Sequence, residues 1–156
     1  MIIGSEAMNF WYFNDKLREP KDIDVIKGSF FNPSDYPDCK IEYLENPILL
    51  ELQEKLDFNM DYAYPWILTT LKASHIFWEL NNNSWDKHMW DLQFMISKGE
   101  KIKLDLFYRL YAYWETVHGK NKRSKLDMSA NDFFDNSIKY PVAHDDLHEI
   151  LIKHPY

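Results

Sequence analysis

With 156 residues, 46% of them hydrophobic and 17% aromatic, the chain has material for one packed domain and too much apolar surface for a disordered one. Its net charge of −7 argues against a general nucleic-acid coat, which needs concentrated positive charge. The single cysteine, Cys39, excludes an internal disulfide and a cysteine-built zinc site, and with no apolar run of membrane-spanning length and no basic-then-apolar leader, a cytoplasmic protein without a membrane partner is expected.

In chain order, Met1-Ile2-Ile3 reads as a short strand that stops at Gly4-Ser5, and "SEAMNFWYF" then has helical apolar spacing. Asn14 and Pro20 break that helix, and "KDIDVI" forms a second strand before a turn at Gly28-Ser29. A loop around Pro33 and Pro37 leads to a third strand, "CKIEYLE". From Pro47 onward the pattern is helical: "PILLELQEKL" and "PWILTTLKASHIFWEL" each open on a first-turn proline. A turn at Asn81-Asn82-Asn83 precedes "WDKHMWDLQFMISK", with Ser84 as its N-cap and Gly99 as its stop, and "LDLFYRLYAYWETVH" ends at Gly119. Two weaker helices follow, one capped by Ser129 and one over "HDDLHEILIK". The expectation is a single α+β domain over 1–156, with a small mixed N-terminal sheet in 1–46 and a helical part in 47–156. The ending "IKHPY" has neither a helix stop nor a polar tail, so a parent chain continuing past residue 156 is expected.

Three features bear on chemistry. Gly4-Ser5 follows a strand and opens a helix, which places backbone N–H groups and the positive end of a helix dipole where a phosphate can approach. Asp22 and Asp24, two apart, share one side of a strand and offer oxygen ligands to a hard cation such as Mg²⁺. Glu42, between Ile41 and Tyr43 on the next strand, is the best third carboxylate, whereas Glu45 points to the other face. Taken singly, each motif also has a plain structural reading as a turn or a solvated strand edge.

The order strand, Gly-Ser, helix, Asp-Ile-Asp-Val strand, Ile-Glu-Tyr strand resembles the polymerase-β-like nucleotidyltransferase superfamily. The resemblance implies a minimal nucleotidyltransferase fold in which Gly4 and Ser5 hold a nucleoside triphosphate, while Asp22, Asp24 and Glu42 hold Mg²⁺ or Mn²⁺. The helical half is similar to the AbiEii/MenT toxin group and to small nucleotidyltransferase-like proteins of tailed bacteriophages. There, an arginine four residues before the first aspartate corresponds to Arg18. A helical lysine corresponds to Lys72, and a "KDLYDL"-like helix corresponds to "DKHMWDL", with Lys87 and Asp91 in register and His88 in the place of the first acid. The resemblance implies a metal-dependent enzyme that moves a nucleoside monophosphate from an NTP to a hydroxyl of RNA, tRNA or a protein, in a phage or toxin setting. Lys72 is expected to contact phosphate, and Asp91 to bind a ribose hydroxyl or orient Lys72. The alternatives are a surface Lys72 with an exposed Lys87–Asp91 pair, and, for the whole chain, a degenerate nucleotidyltransferase fold that binds or inhibits a host protein.

Lys120, Lys122, Arg123 and Lys125 form a basic stretch beside an aromatic helix, suited either to nucleic-acid phosphates or to a solvated helix end. His144 and His148, four apart, are expected to be a helix-face pair rather than zinc ligands. Most of Trp66, Phe77, Trp78, Trp90, Phe94, Phe107 and Trp114 are expected in the core.

Overall fold

A computed structural model describes residues 1–15, 17, 19–29, 31–56, 61–75 and 82–119, with residues 82–87 described by their backbone alone. The elements are β1 (Ile2–Ile3), α1 (Gly4–Trp11), β2 (Ile23–Ile26), β3 (Ile41–Leu44), α2 (Pro47–Lys55), α3 (Pro65–His75), α4 (Asn82–Ser97) and α5 (Leu104–His118). The fold among these residues is α+β. Its sheet has the order β1-β2-β3 and is mixed, with β1 antiparallel and β3 parallel to β2. Two compact units divide the chain, Met1–Leu68 and Thr69–Tyr156.

In the first unit, Ile2 and Ile3 are buried and the chain turns directly into α1 at Gly4, whose φ of +73° lies in the left-handed region that only glycine adopts without strain. Helix α1 lies against β1 and β2 and buries Ala7 and Met8. In β2 the alternation is clean at its start: Ile23 and Val25 are buried, and Asp24 between them is half-buried on the other face. The parallel crossover to β3 runs through residues 27–40 with one 3₁₀ turn, Pro33–Asp35, opened by the Asn32 side chain accepting the Ser34 N–H at 3.2 Å. Asn46 likewise accepts the Leu49 N–H at 3.1 Å to start α2. On the free side of β1, Ala63 donates its N–H to the Ile2 carbonyl. Trp11 Nε1 donates to the Ala63 carbonyl at 2.8 Å, which holds α1 to this segment.

The second unit holds the rest of α3 with α4 and α5, around Leu71, Met89, Leu92, Met95, Phe107 and Leu110. Every residue of α3 from Ile67 to Ser74 is buried, so this helix has no polar face in water. Its polar groups therefore have internal partners. Thr69 Oγ1 donates to Met95 Sδ, Thr70 Oγ1 accepts the Lys103 N–H at 3.0 Å, and Ser74 Oγ donates to the Leu71 carbonyl while accepting from Trp114 Nε1.

Some sequence expectations shift. Helix α4 starts at Asn82, inside the expected Asn81–Asn83 turn, so Ser84 lies within the helix rather than at its cap. Helix α1 ends at Trp11, and a 3₁₀ turn takes Phe13–Asp15. Of the described aromatics expected in the core, only Phe107 is fully buried. Trp66, Trp90, Phe94 and Trp114 are half-exposed, because rings this large fill a small core at its rim, and Phe77 and Trp78 lie outside the described residues.

Candidate functional site

The glycine-serine turn and the Asp-x-Asp segment meet in the first unit, where Asp24 lies in β2 while Asp22, expected in the same strand, lies in the bend before it. Ile3 pairs with Asp24 across the antiparallel ladder, which brings the Asp24 carboxylate to the N-terminal end of α1. The approach is so close that a Cβ on Gly4 would sit 2.3 Å from Asp24 Oδ2. Glycine is thus required at position 4 twice over, by the left-handed φ and by the carboxylate packed against its Cα. No side chain caps this helix from within, since Ile3 occupies the N-cap position, so an acid at its N-terminus is electrostatically favourable. Ser5 and Asp22 are half-buried beside the same turn and strand.

Glu42 stands opposite Asp24 in the parallel register of β2 and β3, so the two carboxylates expected to act together are cross-strand neighbours. A residue that sequence reasoning missed stands with them. Lys40, two before Glu42 and on the same side of the chain, forms an ion pair with the Glu42 carboxylate. The Lys40 ammonium is held above its ordinary range, first by the Glu42 hydrogen bond and charge and then by the charges of Asp22 and Asp24. Glu45 points away from this group and pairs with Lys27 at 2.5 Å.

An open cleft of about 190 Å³ adjoins this edge, with Glu6, Lys21, Asp22, Tyr36, Cys39 and Lys40 among its walls. Tyr36 is held in place by a 2.7 Å hydroxyl contact to Tyr62, whose ring stacks on Phe10 at 4.1 Å. Burial and the Tyr36 hydroxyl raise the Tyr62 phenol pKa well above its usual value. The donor chemistry of Asp22, Asp24 and Glu42 suits a hard divalent cation, and the Lys40 ammonium pairs with one of them, Glu42. Among the described residues no three His, Cys, Asp or Glu side chains are gathered as a ready metal-ligand set.

The second unit carries the other two expected residues. Lys72 is buried, as is Asp91, and Lys72 Nζ donates to Asp91 Oδ2 at 2.8 Å. The surface lysine and exposed Lys87–Asp91 pair considered from the sequence are therefore corrected, because Asp91 faces inward and its partner is Lys72. Lys72 Nζ also lies 2.9 Å from His88 Nδ1. An ammonium only donates, so Nδ1 is the acceptor and the imidazole is the neutral form with its proton on Nε2. His88 thus supplies a neutral acceptor, half-buried, where an acid is expected. His75 packs against His88 and Trp114, with ring centroids at 5.3 and 4.7 Å, and Trp114 stacks on His118. Arg18, the basic residues Lys120, Lys122, Arg123 and Lys125, and His144 and His148 lie outside the described residues.

Lys40 leaves a sequence signal, since alternation from Glu42 points straight to it. The neutral role of His88 leaves none, because it depends on which helix faces which.

The family model of a domain of unknown function, DUF7275, matches residues 67–156, more than half of the chain. That range covers the Lys72 group and leaves Gly4, Ser5, Asp22, Asp24 and Glu42 outside it. No curated protein and no solved structure matches the chain. Among the described residues no helix is long and apolar enough to cross a membrane.

Proposed function

We propose that this chain, which belongs to the DUF7275 family, transfers a nucleoside monophosphate from an NTP to a hydroxyl acceptor on RNA, tRNA or a protein, with Mg²⁺ or Mn²⁺ as cofactor. The observation that carries the reading is the packing of the Asp24 carboxylate against Gly4 at the start of α1. It puts an anion-accepting helix end and a cation-accepting carboxylate within one contact of each other, and a metal-bound nucleoside phosphate needs both.

In this reading the first-turn N–H groups of α1 and the Ser5 hydroxyl would hold the phosphates, and Asp22, Asp24 and Glu42 would hold the cation. When bound, the cation neutralises charge on the phosphate oxygens and makes the acceptor hydroxyl easier to deprotonate. Glu42 or Asp24 accepts the proton of the attacking hydroxyl, which then displaces pyrophosphate in line at the α-phosphorus. Contact between Lys72 and a phosphate requires the ammonium to exchange one of its two partners, Asp91 or His88.

A second reading, a nucleotidyltransferase fold kept as a binding or inhibitory module, is favoured by the Lys40–Glu42 pair and by the absence of a gathered three-ligand set among the described residues. One experiment separates the two. Protein is incubated with Mg²⁺ or Mn²⁺, each α-³²P-labelled NTP, and total RNA or lysate, beside a D22A/D24A control. Label transfer that disappears in the control supports catalysis. No transfer, together with no heat of nucleotide binding in calorimetry with metal, excludes the enzyme.

A further inference from the structure

His88 Nδ1 accepts from Lys72 Nζ at 2.9 Å, which leaves the ring's own proton on Nε2. Nδ1 is also the only atom at which such an imidazole can take up a second proton. The contact and the proton therefore exclude each other. Asp91 Oδ2, 2.8 Å from the same Nζ, pins the ammonium where it is. We infer that His88 is a proton-operated latch between α3 and α4: neutral, it closes on Lys72, and protonated, it must let the ammonium go. The latch lies wholly within the second unit and is independent of the nucleotide-site reading.

The groups around the ring oppose its protonation. From α3 it faces Lys72 and His75, whose ring lies edge-on with centroids 5.3 Å apart. On its own helix Asp91 lies three residues on, fully buried and engaged by Lys72. From α5, His118 and Trp114 pack on His75, at 5.9 and 4.7 Å, and bring no negative charge. A proton on Nδ1 would set two cations against one shared carboxylate, with Lys72 too buried to turn to water. His88 is the half-buried member of the three, so it is the side chain that leaves. The opening is local, because Lys72–Asp91 and Thr69–Met95 still join the two helices.

A histidine in the unfolded chain takes a proton below about pH 6.5, whereas the latched ring resists it. Stability supplied by the latch is therefore complete above that pH and is lost as the pH falls, by about tenfold in the folding constant per pH unit while the folded ring stays neutral. Urea unfolding of the full chain from about pH 5 to pH 8 compares the wild type with H88N, whose amide oxygen accepts from Lys72 but takes no proton. The ratio of wild-type to H88N folding constants is expected to fall toward tenfold per unit below about pH 6.5, and a ratio that stays constant overturns the latch. NMR of the imidazole nitrogens in the native wild type needs no variant to fold: His88 is expected as the Nε2–H tautomer, still neutral about one pH unit below 6.5. An Nδ1–H tautomer, or protonation at the ordinary pH, overturns the latch as well. In K72M, where the competing ammonium is gone and Asp91 is left to an imidazolium, the His88 titration should move up by at least about one pH unit. A titration that stays put in K72M shows that Lys72 does not govern the ring.

Discussion

The sharpest energetic consequence lies in the second unit, at Lys72 and Asp91. Asp91 is fully buried and Lys72 nearly so, and the two meet at 2.8 Å. Removing the carboxylate in D91L leaves an ammonium in the interior with one neutral acceptor, His88 Nδ1. Such a broken buried pair costs about 3–5 kcal/mol, against a total stability of about 5–15 kcal/mol for an ordinary domain. K72M takes the ammonium from the buried carboxylate instead and should also destabilise, whereas K72M/D91L removes both charges and should return to within about 2 kcal/mol of the wild type. Urea unfolding followed by tryptophan fluorescence, with Trp90 and Trp114 in this unit as reporters, gives the four stabilities and their coupling. Single variants that cost under about 1 kcal/mol, or a double variant whose cost is the sum of the singles, would refute the buried pair. Nucleotide binding measured on K72M/D91L then separates the two roles: a stable double variant that no longer binds NTP assigns Lys72 to the ligand as well as to the core.

Three further outcomes follow from the first unit. G4A forces a side chain into a left-handed backbone, at about 1–2 kcal/mol, and drives its methyl into Asp24, so urea unfolding should show G4A and D24A to be less than additive; additivity would place Asp24 elsewhere. Burial lowers the Met1 α-ammonium pKa from 8.0 to about 6, with Asp61 opposing only in part. The folded amine therefore gives up its proton first, the unfolded chain binds more protons between pH 6 and 8, and stability rises through that window by about 1 kcal/mol after allowance for partial solvation; a Met1 Cα resonance titrating near pH 8 contradicts this. Cys39, exposed on the cleft wall, should take one equivalent of iodoacetamide in the native protein and be protected by NTP with Mg²⁺; labelling that is unchanged at saturating nucleotide separates the cleft from the nucleotide site.

The first unit was legible because its determinants are local. A glycine between a strand and a helix, and two aspartates flanking one isoleucine, each fix a backbone shape or a facing direction within a few residues. The second unit was less so. The segment "ILTTLKAS" has two threonines, a lysine and a serine, which read as a partly solvated face, yet all of it is buried. The partners that make this tolerable, Met95, Lys103, Trp114 and Asp91, come from α4, from α5 and from the residue just before α5. No periodicity within α3 announces them. The start of α4 was misplaced for a related reason: three asparagines signal a turn by propensity, but the helix incorporates two of them.

The two charged groups answer the same electrostatic problem in opposite ways, and the difference bears on where ligand exchange can occur. Lys72 is buried, contacts two fixed partners and sits on a helix enclosed on every side, so moving it exposes a buried charge and costs several kcal/mol. Lys40 is exposed, has one carboxylate partner at the start of an edge strand, and faces an open cleft, so moving it exchanges one solvated arrangement for another. An exposed lysine of the second kind changes partners at little cost. A helix packing that must survive each cycle unchanged needs the first. Nucleotidyl transfer as proposed would draw on Gly4, Ser5, Asp22, Asp24 and Glu42, whereas any use of Lys72 has to offset the loss of Asp91 or His88.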